Sequence, residues 1–448
     1  MNNFMYITIF IGQLSIILGA TTISWSSPMV VKFNSTDNPL GRVITSSESG
    51  WLVSLSMLGE MSGCLFFGSM ASKIGRKTIL TSIGFPFLIF YTVMAFAEKL
   101  WLFYIARFFT GLGLGGISTI LPMYSFELSD SNKRGFFGSS MLVLTNIGLL
   151  LCYALGPFVS FFTFHITMAA MAAIYIPLIF LYGQETPHFL IHKDPLIAKK
   201  TLAKLRATED ISEEFHEIQE EVKKTSRISV LDLLKTKGFS KSFIIGLGLI
   251  TFMQFTGTGV VMEYNQSIFQ NVGGQLAPEV YPIITGVLQL VVTMFTSTIT
   301  EKYERRILLI ISHTGVAMEE LLFGLYFFLK DREYDLSRLS WLPLVCLISH
   351  IVLFNIGIGP LMTTVVGELF PLRVRGQAMS CMVIYMSGTG FLLAKFFNEI
   401  RNILGLGITF WMFSFSGFLG AIFVKIFVIE TKGKSLQEIQ NELNSENA

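Results

Sequence analysis

The sequence predicts an all-α membrane protein: twelve transmembrane helices arranged as two pseudo-symmetric six-helix halves. Three observations carry that prediction. Of 448 residues, 52% are hydrophobic and only 14% are charged, where soluble domains carry about 25% charged residues and need them to cover their surface. The apolar residues gather in runs of the ~20 residues that a helix needs to cross a hydrocarbon core of about 30 Å. A charged pattern occurs twice, at equivalent places on either side of a long polar segment.

Taken in order, the apolar runs fall at about residues 5–27, 50–72, 78–97, 100–125, 137–158 and 163–183, and then at about 243–266, 281–300, 307–329, 341–366, 377–398 and 407–428. The first run begins without the basic stretch of a cleaved signal peptide, so it is read as span 1. Residues 1–183 therefore form an N-terminal half and 243–428 a C-terminal half, with 429–448 a tail. Between the halves, residues 184–242 are rich in charge, and Ala198, Leu202 and Leu205, then Ile218 and Val222, recur at helical spacing. Short amphipathic helices on the membrane surface follow from that period.

Lysine and arginine set the orientation. One side collects Lys73, Arg76, Lys77, Lys133, Arg134, the basic residues of the central segment, Lys302, Arg305, Arg306, Arg373, Arg375, Lys432 and Lys434. The other holds Lys32, Arg42, Lys99, Lys330, Arg332, Arg338 and Arg401. Both termini and the central segment are thus expected in the cytoplasm, with the chain in the plasma membrane. Asn34-Ser35-Thr36, a glycosylation acceptor, lies in the first outer loop, as that orientation requires.

The internal repeat carries the mechanism. Glu127 through Arg134-Gly135 recurs as Glu368 through Arg375-Gly376, and Gly75-Arg76-Lys77 after span 2 is matched by Glu304-Arg305-Arg306 after span 8. A duplicated six-helix unit is a transporter architecture. Opposite charges at the cytoplasmic helix ends are expected to pair across the halves when the inner side closes and to part when it opens. One surface pair contributes only about 0–1 kcal/mol, so several would bias a two-state equilibrium without locking it. The expected gate set is Arg76, Glu127, Arg134, Glu185, Glu301, Arg305, Arg306, Glu368, Arg373, Arg375 and Glu430, with Glu368 and Arg375 expected to be partners. Ordinary positive-inside signals explain the arginines equally well, but not the matching glutamates.

These motifs also carry a resemblance. Gly68 through Lys77, Arg107 with Gly111, the series Pro122, Tyr124, Glu127, Arg134 and Gly135, then Glu185-Thr186-Pro187, Gln254 with Gly257, Gly359-Pro360, Glu368 with Pro371, Arg373, Arg375 and Gly376, and Glu430-Thr431-Lys432-Gly433 stand in an order that resembles the sugar porter family of the major facilitator superfamily. Asn146-Ile147-Gly148 makes it similar to the insect facilitated trehalose transporter group. The resemblance spans nearly the whole chain and implies alternating access, with the halves rocking about a site near the bilayer midplane. It also implies uncoupled, facilitative movement, because Thr21 stands where proton-coupled relatives tend to carry an acid. A proton-coupled symporter, or a receptor that binds solute without moving it, remains the alternative.

The sequence departs from the family at positions that touch hexose. Met253 precedes Gln254 where two glutamines are usual, Gly259 replaces an asparagine, and Glu263 replaces a tyrosine. Leu142, Thr363, Met386 and Ser387 likewise stand in place of other polar or aromatic groups. Each sugar hydroxyl that leaves water without a new partner costs about 1–3 kcal/mol, so a plain hexose fits this set poorly. The candidate cargo residues are Gln254, Thr258, Glu263, Gln289, Asn355 and Thr363, with Thr364 beside them. Glu263 has three open readings: contact with substrate, carriage of a proton, or a place at the outer mouth with neither role. Glu60 in span 2 poses the same question.

Several signals are excluded. A net charge of +2 without a basic patch gives no nucleic-acid surface. Gly111, Gly113 and Gly116 spell a dinucleotide pattern, but inside an apolar helix with no strand before it they read as close helix packing. Cys64, Cys152, Cys346 and Cys381 have no ligand or disulfide spacing, and the histidines, among them His188, His192, His313 and His350, show no paired metal spacing. No catalytic constellation, metal or cofactor is expected. The expected partners are the bilayer and a small polar solute, bound by a single copy of the chain.

Overall fold

The computed structural model describes residues 3–130, 133–208, 210–224, 237–270, 272, 276–371, 375–434 and 436–444. Its contacts divide the chain into two compact units. The first comprises Met1–Ile23, Pro39–Gly41 and Leu55–Arg227; the second comprises Ser24–Asn38, Arg42–Ser54 and Ile228–Ala448. The end of span 1 and the start of span 2 are thus grouped with the later helices.

The membrane helices before the central segment are α1 (Asn3–Ser24), α3 (Ser46–Ile74), α4 (Arg76–Phe96), α5 (Leu100–Leu128), α6 (Arg134–Leu155) and α7 (Phe161–Tyr182), with the short α2 (Ser26–Lys32), grouped with the second unit, after α1. Helix α3 crosses α5 at backbone distance. A Cβ on Gly59, Gly63, Gly111 or Gly115 would strike the carbonyl of Phe108, Leu112, Ser56 or Glu60 respectively. Lipid offers no hydrophobic drive between helices, so such small-residue contacts supply the packing; the glycine pattern of span 4 serves this purpose. The central segment then forms α8 (Pro187–Lys193), α9 (Pro195–Arg206) and α10 (Ser212–Lys224), which bury Leu202, Ile211 and Ile218 in a small core of their own.

The second unit is less regular. Span 7 is three pieces: α11 (Lys237–Phe255), α12 (Thr258–Glu263) and α13 (Asn265–Gln270). It breaks at Gly257, whose φ of +69° is open to glycine at little cost. After α14 (Val280–Lys302) and α15 (Arg305–Lys330), span 10 is also broken, into α16 (Leu342–Ile356) and α17 (Ile358–Leu369), at Gly357. The next helix, α18 (Arg375–Phe427), has 53 residues, far beyond the ~20 that cross a bilayer. It turns at Gly405, where φ is +83°. Up to that turn it runs parallel to span 7, with Tyr385, Met386 and Ala394 meeting Thr251, Gln254 and Tyr264. Beyond it the chain returns, with Phe413 against Gly257 and Phe423 against Gly248. Of the described residues, eleven helical segments are long and apolar enough to span, and the reversal at Gly405 makes the last of them two. Helix α19 (Leu436–Asn444) follows.

Candidate functional site

Two charge clusters sit at matching helix ends, one in each unit. In the first unit, Gly75 has a φ of +104°, and its missing side chain leaves room for the Glu185 carboxylate. Glu185 Oε1 accepts from the backbone N–H of Arg76 at 2.9 Å and of Lys77 at 3.2 Å. A carboxylate there satisfies orphan donors and meets the positive end of the α4 dipole. Burial nevertheless pushes the Glu185 carboxyl above its usual range, against the pull of those N–H groups. Arg76 Nη2 meets Glu127 Oε1 at 2.8 Å.

The second unit repeats this construction. Glu430 accepts from the N–H of Arg305 at 3.3 Å and of Arg306 at 3.0 Å, at the start of α15. The Arg305 guanidinium forms an ion pair with Glu368 and donates to Thr431 Oγ1 at 3.2 Å. Glu127, Glu185, Arg76, Glu368, Glu430 and Arg305 are thereby brought together three by three, and Arg306 donates to the Lys425 carbonyl. Arg134 and Glu301 are exposed at their helix ends. Arg373 and the side chain of Arg375 lie outside the described residues, so the partner that the structure gives Glu368 is Arg305. Arg76 with Glu127 and Arg305 with Glu368 are pairs within one unit each.

The interiors differ. In the first unit, Arg107 is 1% exposed and donates to the Thr22 carbonyl and to Ser56 Oγ, each at 2.8 Å. Thr21 Oγ1 lies 2.9 Å from the Tyr91 hydroxyl, and Gln13 is held by Phe137 and Ser140. Ser118 donates to Glu60 at 3.3 Å. An apolar cleft lined by Leu14, Ile17, Leu18, Met171 and Tyr175 offers nothing to a polar solute.

In the second unit, the candidate cargo residues flank the two helix breaks. Gln254, half-buried before the break of span 7, donates to the Met386 carbonyl at 2.9 Å. Asn355 lies just before the break of span 10 and Thr363 is exposed after it. Gln289 is 3% exposed and donates to Met262 Sδ at 3.4 Å, and its Oε1 has no hydrogen-bond partner among the described residues. Glu263, also 3% exposed, is buried at the end of α12. Thr258 is buried, and its hydroxyl contacts Thr256 Oγ1 at 3.1 Å and His350 Nε2 at 3.0 Å.

That contact leads to groups the sequence reading missed. His350 Nδ1 lies 2.8 Å from Glu319 Oε2, midway along α15, and Glu320 beside it is 0% exposed. Adjacent acids inside an apolar stretch were a readable signal, since an acid at helix centre costs about 2.5–3.5 kcal/mol on insertion scales and marks function by default. Lys395 was missed as well: 6% exposed, it donates to Ser47 and Glu399 over the face of Trp51. So was Arg206, which ties α9 to Asp130 at 2.9 Å and Glu214 at 2.7 Å. Asn34 is exposed.

Comparison with known proteins closes the case for the fold. The facilitated trehalose transporter Tret1 of Anopheles gambiae is 30% identical over 443 residues, 97% of this chain and 56% of the relative. That of Aedes aegypti is 29% identical, covering 97% and 55%. The Polypedilum vanderplanki Tret1 is 29% identical, covering 94% and 84%. The chain thus spans about half the length of the two mosquito relatives. The inward-open E. coli xylose transporter XylE aligns with a TM-score of 0.82 at 22% identity, covering 98% of this chain and 99% of that one. At that identity the likeness shows the fold alone, which is the twelve-helix major facilitator fold. A family model described as "Sugar (and other) transporter" matches residues 5–443. With its spans, its doubled charge clusters and that match in agreement, the chain belongs to the sugar transporter family of the major facilitator superfamily.

Proposed function

We propose that the chain is a facilitative transporter of a sugar or sugar-like small polar solute, of the trehalose or hexose class, working by alternating access. The observation that carries the reading is the pair of broken spans. Spans 7 and 10 are discontinuous at Gly257 and Gly357, and Gln254 and Asn355 stand directly before the breaks. Interrupted membrane helices occur where backbone lines a solute path, because lipid cannot satisfy the freed peptide groups. A break also gives each span a hinge. The Tret1 relatives, named as facilitated trehalose transporters, support the cargo class.

In this reading residues 1–183 and 243–428 are the rocking halves, 184–242 the cytoplasmic linker and 429–448 a cytoplasmic tail, in the plasma membrane. Gln254, Asn355, Thr363 and the unpartnered Gln289 oxygen hydrogen-bond the cargo, and Glu263 shapes the wall beside them. The clusters of Arg76, Glu127 and Glu185, and of Arg305, Arg306, Glu368 and Glu430, hold each unit's helix ends as one body, with Arg134, Glu301, Arg373 and Arg375 meeting charges that approach when the gate shuts. Asn34 carries glycan on the outer face, and one copy suffices for transport. The test is uptake into liposomes holding the purified chain, from a panel of disaccharides, hexoses and polyols. Uptake of one class, lowered by Gln254→Ala and Gln289→Ala, supports the assignment. Solute binding without entry, across the panel, would replace it with a receptor.

A further inference from the structure

Four side chains of the second unit form an unbroken hydrogen-bonded line through its interior: Glu319, His350, Thr258 and Thr256. All four are buried, at 6%, 4%, 3% and 0% exposure. The line ends on backbone, because Thr256 Oγ1 donates to the Met253 carbonyl at 2.7 Å. Met253 lies in the last turn of α11, immediately before the Gly257 break.

With every contact of this line made as a hydrogen bond at once, Thr256 to Met253 included, counting hydrogens gives the place of one proton. Each threonine hydroxyl has one hydrogen to donate. Thr256 uses its own on Met253, so the hydrogen between the two threonines belongs to Thr258. Thr258 then has none left for the histidine, and His350 Nε2 must carry the hydrogen that bridges them. The remaining contact, between Nδ1 and Glu319, therefore holds one proton: either a carboxylic acid donating to neutral imidazole, or an imidazolium donating to carboxylate. Removing that proton leaves Nδ1–H facing a carboxylate and Nε2 bare. Thr258 turns its hydrogen to Nε2, Thr256 turns to Thr258, and the Met253 carbonyl loses its donor.

Glu320 adds an independent observation. It is 0% exposed, and among the described residues neither of its oxygens has a hydrogen-bond partner. An ionised carboxylate cannot remain so situated, so it too holds a proton or releases it only to a neighbour. Other titratable groups on the packed elements are accounted for. Cys346 lies one turn before His350 on α16 and is buried. His313 on α15 turns to Gly420 and is bonded to its own Leu309 carbonyl. Glu263 lies at the far end of α12, and α18 contributes Lys395, bound to Glu399 and Ser47, and Arg401. Among the described residues, no lysine or arginine forms an ion pair with Glu319 or Glu320.

We propose that Glu319, Glu320 and His350 form a proton-binding centre wired through Thr258 and Thr256 to the break in span 7, so that gain or loss of its proton sets how freely that span hinges. The link to solute movement rests on the transport reading above; the proton centre does not. The experiment takes the purified full chain in liposomes and records infrared difference spectra between about pH 5 and 8 without solute, then labelled trehalose uptake over the same range. The wild type is expected to show a protonated-carboxyl band that Glu319→Gln and Glu320→Gln each diminish, and uptake that changes several-fold with pH. Thr258→Val cuts the line and leaves the carboxyls, so it is expected to keep the band and flatten the pH dependence. Absence of any carboxyl band removed by those substitutions overturns the centre. A band that behaves as expected beside uptake that is independent of pH overturns the wiring. The expected band with no sugar uptake at any pH upholds the centre and overturns the transport reading.

Discussion

The two units solve one problem alike and another differently. At the helix ends, Arg76, Glu127 and Glu185 in the first unit correspond to Arg305, Glu368 and Glu430 in the second, with a carboxylate accepting from the first two backbone N–H groups of α4 and α15. In the interiors, the first unit buries a base, Arg107, satisfied by Thr22 and Ser56. The second buries acids, Glu319 and Glu320; Glu319 meets His350, whereas among the described residues neither oxygen of Glu320 has a hydrogen-bond partner. The duplicated part is the frame, held by charges at the helix ends. The unduplicated part is the interior of the second unit, where both broken spans also lie. A machine made by doubling one half keeps its frame in two copies and acquires its particular chemistry in one.

The comparison can be broken or sharpened in steps. The largest effect is expected from the carboxylates at the helix starts: Glu185→Ala and Glu430→Ala each remove an acceptor of three backbone hydrogen bonds and should cost about 2–3 kcal/mol, read as matching losses of thermal stability in detergent. Stability lost at only one site would end the claim of equivalent frames. Next, Arg107→Leu should cost about 1–3 kcal/mol by stranding the Thr22 carbonyl and Ser56. Glu320→Leu should be neutral or stabilising, because an unpartnered buried acid is replaced by apolar volume. A third effect of about 1 kcal/mol is expected as the coupling in double-mutant cycles of Arg76 with Glu127 and of Arg305 with Glu368. Uptake lowered by Arg305→Glu should recover in part when Glu368→Arg is added, whereas Arg375→Glu with Glu368→Arg should recover less; the reverse order would return Glu368 to Arg375.

The smallest effect concerns pH. Because burial raises the Glu185 carboxyl above its ordinary 4.5, the folded chain holds that proton when the unfolded chain has lost it. Stability contributed by the protonated form is complete below the ordinary value and is lost as pH rises through the raised one. Glu185→Gln should flatten the dependence of thermal stability on pH just above 4.5, and a slope unchanged by the substitution would contradict the assignment.

How much of this was legible in the sequence follows from what each feature depends on. Spans depend on local hydropathy, so their number was readable, as was the doubling of GRK and ERR after spans 2 and 8. Partners depend on helix phase and on how helices cross, which spacing does not supply: the structure pairs Glu368 with Arg305, whose N–H also meets Glu430. Thr258 is legible as a polar group near Gln254, but spacing does not show that past the turn at Gly257 its hydroxyl meets His350. Glu319 and His350 lie 31 residues apart on different spans, and neither looks special until the two helices are packed. Two adjacent acids in an apolar stretch carry a cost that marks Glu319 and Glu320 from sequence alone, though not their partner.

The central claim, that this fold carries sugar instead of merely holding it, is tested most directly by counterflow. Liposomes containing the purified chain are loaded with unlabelled trehalose, and entry of a trace of labelled trehalose is followed without any ion gradient. The account predicts a transient accumulation of label above its outside concentration, produced by the outward stream of unlabelled sugar returning the carrier to the outer face, and lost in Gln254→Ala. Label that binds but never overshoots, with the same time course in loaded and empty vesicles, would contradict it.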